Sequence, residues 1–559
     1  YKEDYKKYKE FQIKITYNSR NFEFPEGSTF LDMLPTLAPE DEGDIILARF
    51  RGKLIELFKT PSGDGEVELI TTADTNGRRT YRRTLVFLME RALFDVAPGK
   101  DVRVMYALAD SYFCKFMDES EVTPELVSAL LLRMRELVEQ DIPLKKTTMK
   151  TYEAMKHFEK EGMHDKKRIL KYRSSSNINI YELDGCYDYF YGFMAPSTGY
   201  LKVFDVRPYE DGFVLIYPSK KDPGELREFA PSTQLAATLK KSTGWGRLMD
   251  IPTVGALNDA ISKGRTREIV LTQEALMEER IGALAREISS DRARKFVMIA
   301  GPSSSGKTTF SHRLSTQLLA RGLHPHPVPL DDFYLDHDLM PVDEYGERDF
   351  EAIECLDIEL FNDCMKRLLL GEEVILPRFN FKTGKSEWHE HPMRIGADDV
   401  LVIEGIHGLN DRMSYSLPAE SKYKIYISSL TQLSIDEHNP LSVSDGRLIR
   451  RIVRDARTRG TSAAGTIAMW PSVRRGEEKN IFPFQDHADA TFNSALIYEM
   501  AVLKIYAYPQ LCDIEPGDPE YDEANRLLKL MDYVLPMATE DIANNSLIRE
   551  FIGGSCFNV

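Results

Sequence analysis

The sequence predicts two fold classes in one chain: an α+β N-terminal half and, in the C-terminal half, an α/β P-loop domain built on a parallel sheet. Three observations predict this. Continuous apolar runs at 296–300, 400–403 and 423–427 alternate with helical patterns, the texture of strands buried on both faces of a parallel sheet. A GxxxxGK[ST] string, Gly301 to Thr308, follows the first run directly. Before residue 220, short alternating apolar runs split by glycine turns are joined by two stretches of helical spacing.

The elements follow in order. A charged tail covers 1–10. Residues 11–72 read as one small mixed sheet, with apolar runs at 11–15, 21–24, 45–50, 53–57 and 67–70 and a helix from Ser28. Helical spacing over 81–94 and 124–138 marks a second module spanning 73–222. Residues 223–290 form a helical connector that contains Pro223-Gly224 and ends in a helix over 272–288, whose acidic residues come early, as the helix dipole favours. The phosphate-loop domain takes 291–510, and 511–559 is a C-terminal extension that begins helically. At roughly 150 residues per domain, 559 residues agree with three or four such bodies.

Asp and Glu number 88 against 72 Lys and Arg, a formal charge of -16, which argues against a general electrostatic grip on nucleic acid and leaves a local basic patch, in the N-terminal modules included, as the way to bind one. Anion chemistry must come from a focused site. No stretch reaches the roughly 18 apolar residues that span a bilayer, and the polar start lacks a signal peptide's apolar core, so the expectation is a cytoplasmic protein without membrane contact. Six scattered cysteines with no CxxC pair fit a reducing compartment, so neither disulfides nor a cysteine zinc site is expected. His389 and His391 form an HxH without a second ligand cluster and read as a solvated loop.

Gly301-Pro302-Ser303-Ser304-Ser305-Gly306-Lys307-Thr308 sits between a strand and a helical pattern over 310–319. Its glycines let backbone wrap phosphates, and its N–H groups and helix N-terminus supply positive potential. Lys307 reaches the β- and γ-phosphates, Thr308 ligates Mg²⁺, and Thr309 completes the ATP contacts. Downstream, Val328-Pro329-Leu330 runs into Asp331-Asp332-Phe333-Tyr334, placing a carboxylate at the ligand-binding end of the sheet. Asp331 can accept the proton of an attacking hydroxyl and also face the metal. Ile403-Glu404-Gly405 ends another strand in a carboxylate suited to holding Mg²⁺. Arginines 447, 450, 451, 454, 457 and 459 share a helical pattern, a candidate lid for a triphosphate.

With these residues in order, residues 295–495 resemble the uridine kinase and phosphoribulokinase family, over a little more than a third of the chain. The resemblance implies that Asp331 is the catalytic base with Tyr334 beside the acceptor, and that Glu351, in a loose match over 350–355, binds ribose hydroxyls. Pro377-Arg378-Phe379-Asn380-Phe381 would line the base pocket and offer Phe379 and Phe381 as stacking faces. The lid motif over 447–460 points to Arg454 and Arg459 for the triphosphate and to Arg451 for the acceptor. Two departures stand out: Gly384 where uridine kinases carry a histidine, and Thr461 where the lid carries an arginine. Losing the histidine removes a hydrogen-bonding group from the base pocket and weakens discrimination. The implied activity is Mg²⁺-dependent transfer from ATP, or GTP, to a nucleoside 5′-hydroxyl, uridine or cytidine foremost, with the nucleoside as small-molecule partner. Two alternatives stay open: a kinase of the same fold for another small alcohol such as a sugar phosphate, and an RNA- or translation-associated P-loop ATPase. A homo-oligomer is compatible with either.

In the N-terminal half, residues 11–72 resemble the small ubiquitin-like TGS domain of threonyl-tRNA synthetases, through Phe24-Pro25-Glu26-Gly27-Ser28-Thr29. Residues 73–222 resemble the synthetases' second additional domain, most clearly at Ala195-Pro196-Ser197-Thr198-Gly199-Tyr200-Leu201-Lys202. Its hydrolysis of mischarged tRNA depends on HxxxH and CxxxH, and the aligned positions are Arg83, Phe87, Phe190 and Met194. None is a zinc ligand of the expected type, so the resemblance implies a scaffold that has lost editing.

Overall fold

Five parallel strands carry the candidate site. In the computed structural model, which describes residues 12–40, 44–220, 222–341, 351–380, 382–430 and 433–558, the chain divides into two units. The first comprises 1–230, 434–440 and 514–533, and the second 231–433, 441–513 and 534–559. The tail expected over 1–10, and Phe350 and Phe381, lie outside the described residues.

In the second unit, β1 (Phe296–Ala300) leads into α1 (Lys307–Leu319), followed by β2 (His324–Pro329), β3 (Asp399–Glu404) and β4 (Lys422–Ser428). Then come α2 (Val443–Thr458), α3 (Ala463–Asn480) and β5 (Ala490–Asn493). The sheet order is β2-β3-β1-β4-β5 and every pairing is parallel. All five residues of central β1 are buried, which accounts for its unbroken apolar run. Edge strand β2 reads His-Pro-His-Pro-Val-Pro. Its prolines fall on alternate residues, so their missing N–H groups share the open side, while the amide of His324 donates to the Asp398 carbonyl at 2.8 Å. The carboxyl ends of β1, β2 and β3 deliver the P-loop, Asp331 and Glu404.

The first unit opens with a five-stranded mixed sheet, in which Gln12–Tyr17 pairs antiparallel with Arg20–Pro25 and parallel with Gly65–Thr71. Helix Phe30–Leu37 packs with it and starts at a capping box: Thr29 accepts from the Asp32 amide and Asp32 from that of Thr29. Helices Thr75–Val96 and Pro124–Glu139 then pack with a four-stranded antiparallel sheet around a second core. Phe87, Phe190 and Met194 are buried in that core, the two rings 5.3 Å apart.

Residues 434–440 seal a buried ionic cluster in this unit. Fully buried Lys166 pairs with Asp188 and, at 3.6 Å, with Asp436, while His438 Nδ1 lies 2.8 Å from Asp188 Oδ2. Removing one member of such a cluster strands the others in a dry interior. Lys166→Ala is expected to destabilise this unit by about 3–5 kcal/mol, read from urea unfolding; an unshifted midpoint would contradict the role given to the lysine. Among the described residues no helix is long and apolar enough to cross a membrane, and all six cysteines are unbridged.

Candidate active site

The P-loop takes its form from close approach and left-handed backbone. A Cβ on Gly301 would lie 1.9 Å from the Ile427 carbonyl of β4, so only glycine lets the chain leave β1 there. Ser304 (φ 59°) and Gly306 (φ 84°) coil the loop into the backbone form whose successive N–H groups face an anion, and α1 begins at Lys307. The Lys307 ammonium donates to the carbonyls of Gly301 at 3.0 Å and Pro302 at 3.3 Å. The Thr309 amide donates to Glu550 Oε2 at 3.1 Å.

Two carboxylates face the loop from neighbouring strands. Glu404, half-buried at the end of β3, accepts from the Thr308 hydroxyl at 3.1 Å. Burial pushes it up to about 7, against the pull of Lys307 and with a further push from Asp331. Asp331, just beyond β2, is pushed up to about 6, first by the surrounding protein although it keeps contact with solvent; Lys307 opposes the rise, and Glu351 and Asp332 add to it. The Thr308 hydroxyl with the carboxylates of Glu404 and Asp331 is an all-oxygen donor set suited to a hard divalent cation such as Mg²⁺. A cation there would offset the desolvation and the mutual repulsion that raise both acids.

Helix α2 supplies two kinds of arginine. Arg447 and Arg450 are almost wholly buried and grip the loop from behind. Arg447 donates to the Ser303 carbonyl at 3.2 Å and pairs through both nitrogens with Glu477 of α3, whose Oε1 accepts from the Ser303 amide at 3.0 Å. Arg450 donates to the Ser494 carbonyl at 2.9 Å and pairs with Glu499. Arg457 donates to the carbonyls of Glu550 at 2.7 Å and Phe551 at 3.1 Å, while Arg451, Arg454 and, at the C-cap, Arg459 face the cleft. Arg451 donates to the Ser303 hydroxyl at 2.8 Å, and Arg454 and Arg459 converge on Asp455 at 2.8 and 3.6 Å. The Arg459 guanidinium is within electrostatic reach of Asp331, Arg451 and Arg454, and burial followed by the neighbouring Arg454 lowers its pKa.

The structure therefore brings Gly301 to Thr309, Asp331, Glu404, Arg451, Arg454 and Arg459 together. Glu351 joins them, since its charge is felt by Asp331, Tyr334 and Arg451. Phe379 departs from the expectation of an open stacking face. It is 5% exposed, packed with Met340, Ala352 and Cys355 and edge-on to Tyr334 at 5.6 Å, because its strand turns it inward. It is a wall that positions Tyr334. Phe381 lies outside the described residues. At Gly384 (φ 68°) a Cβ would come within 2.3 Å of His337 Nδ1, so the imidazole of His337 fills the space this glycine leaves. Sequence reading missed His337, Glu477, Glu499 and Glu550. Only the three- and four-residue spacing of the arginines hinted that some face inward and need acidic partners.

A model of the Phosphoribulokinase / Uridine kinase family matches residues 296–499, from the first residue of β1 to just beyond β5. Residues 296–499 form a P-loop kinase domain of that family. The matched span contains the P-loop, both cleft carboxylates and every lid arginine, whereas Glu550 of the kinase unit lies outside it. The N-terminal region matches threonine–tRNA ligases. That of Carboxydothermus hydrogenoformans is 31% identical over 188 residues, covering 34% of this chain and 30% of the relative. That of Desulforamulus reducens is 26% identical over 192 residues, again 34% of this chain and 30% of the relative. The chain thus spans about 30% of the length of the curated relatives it matches. Among solved structures, one described as a possible uridine kinase from Bacillus stearothermophilus covers 39% of this chain and 99% of its own, at 17% identity and a TM-score of 0.27.

Proposed function

We propose that the kinase domain transfers the γ-phosphate of ATP to the 5′-hydroxyl of a nucleoside, uridine or cytidine foremost. The observation that carries this reading is the place of Asp331: on the acceptor side of the P-loop, within the field of Lys307, with a pKa near 6. A base poised there is ionised at neutral pH yet retains affinity for a proton. In the step, the hydroxyl oxygen bonds to the γ-phosphorus while the bond from that phosphorus to the β–γ bridging oxygen breaks. The electron pair leaves with ADP and the hydroxyl proton passes to Asp331. Lys307, Arg454 and Arg459 stabilise the charge on the transferring group, and Arg451, Glu351 and Tyr334 hold the acceptor. Thr308, Glu404 and Asp331 would hold Mg²⁺, which neutralises phosphate charge when bound.

Because protonated Asp331 cannot act as base, kcat/KM is expected to rise with pH up to a plateau, with a midpoint at or below about 6 because a bound cation draws the carboxyl down from its metal-free value. A profile flat across that window would remove Asp331 from the role.

A second reading, a phosphorylated small alcohol as acceptor, is favoured by the closed face of Phe379 and by the three arginines at the cleft. Acceptor-stimulated ADP release over a panel of nucleosides and sugar phosphates separates the two. Stimulation by nucleosides supports the first reading, and stimulation by sugar phosphates alone selects the second.

A further inference from the structure

We propose that the N-terminal unit binds a free phosphorylated nucleoside in a cation-lined cavity of about 450 Å³. Helix Thr75–Val96, strand Asn177–Leu183, the turn at 189–193 and helix Tyr521–Met531 all contribute to its walls. Its lining carries seven lysines and arginines against one carboxylate, Asp522, inverting the acidic balance of the chain.

Part of this charge is already neutralised: Arg79 and Arg526 pair with Glu523, and Lys146 with Glu56. Four cations are not: exposed Lys53 and three others. Arg83 donates to the Phe193 carbonyl at 2.7 Å, Arg173 to the Tyr533 hydroxyl at 3.0 Å, and Lys529 lies 5.8 Å from the Phe193 ring; among the described residues none has a carboxylate partner. The surrounding protein lowers the pKa of Lys529 although the side chain keeps contact with solvent, and the positive charges of Lys146 and Arg173 lower it further. Cations gathered in this way repel one another until an anion joins them. The backbone is shaped to the arrangement: a Cβ on Gly192 would lie within 2.4 Å of the Arg83 guanidinium nitrogens.

The remaining lining fixes the class of anion. Guanidinium and ammonium groups suit phosphate oxygens, while the half-buried ring of Tyr191 with the amides of Asn177 and Asn179 suits a planar ring with polar edges. The volume falls within the roughly 300–1,000 Å³ of small-molecule sites, which favours a single nucleotide over a polymer. Arg526, Lys529 and Tyr533 come from 514–533, beyond the 11–222 region that resembles the synthetases, so the cavity is completed by chain outside that resemblance.

The test is calorimetric titration of the full chain with nucleoside mono- and diphosphates, the parent nucleosides, inorganic phosphate and unfractionated tRNA. The expected result is a nucleotide-binding event that survives Lys307→Ala in the P-loop and weakens about tenfold or more in Lys529→Gln, with parent nucleosides binding about tenfold or more less tightly. Lys529 is exposed on its helix, so its replacement spares the fold, and Arg173→Gln provides a second variant with the same expected loss. Four results would overturn the proposal: no event surviving Lys307→Ala, unchanged affinity in both cavity variants, inorganic phosphate binding as tightly as the nucleotides, or binding of tRNA alone.

Discussion

Asp331→Asn is expected to lower kcat about 10²–10⁴-fold while leaving KM for ATP little changed. The amide matches the carboxylate in shape but cannot take up the hydroxyl proton, whereas the loop, Lys307 and the lid arginines that grip ATP remain. Steady-state kinetics with saturating acceptor checks this directly. If Asp331 served only to hold Mg²⁺, the loss would instead appear as weaker ATP binding, with KM rising and kcat largely retained.

The second large effect lies behind the loop. Arg447 and Glu477 are both almost fully buried and doubly bonded to each other, and both also bond Ser303. Arg447→Ala would leave the Glu477 carboxylate uncompensated in a dry interior, destabilising the kinase unit by about 3–5 kcal/mol in urea unfolding. An apolar double replacement, Arg447→Met with Glu477→Leu, is expected to recover most of that stability, because a buried pair contributes little over well-packed apolar side chains. ATP affinity should not recover, since the Ser303 amide loses its carboxylate acceptor and the loop its anchor. An unfolding midpoint unchanged in the single variant would show that the pair is not a structural clamp.

These expectations rest on features of unequal legibility. Strands β1, β3 and β4 could be read directly, because burial on both faces leaves an unbroken apolar run. Most of β2 could not: three prolines in six residues argue against a strand until its edge position is known. The P-loop, Asp331 and Glu404 were readable because each motif is local, a strand end followed by a few fixed residues. The division of labour among the arginines was hidden, since Arg447 and Arg450 find their acids 30 and 49 residues away. Phe379 shows the opposite failure. A local aromatic pattern suggested an open face, and tertiary packing against Tyr334 closed it. His337 meets Gly384 only through the folding of two separate loops, so no local pattern announced it.

The central claim is transfer of a phosphoryl group to a nucleoside. It is tested most directly by incubating the protein with ATP, Mg²⁺ and a mixture of ribonucleosides, deoxynucleosides and sugar phosphates and resolving the products by mass, with Lys307→Ala as control. A nucleoside monophosphate formed one for one with ADP, and absent from the control, is the predicted result. ADP formed without any phosphorylated nucleoside would contradict it.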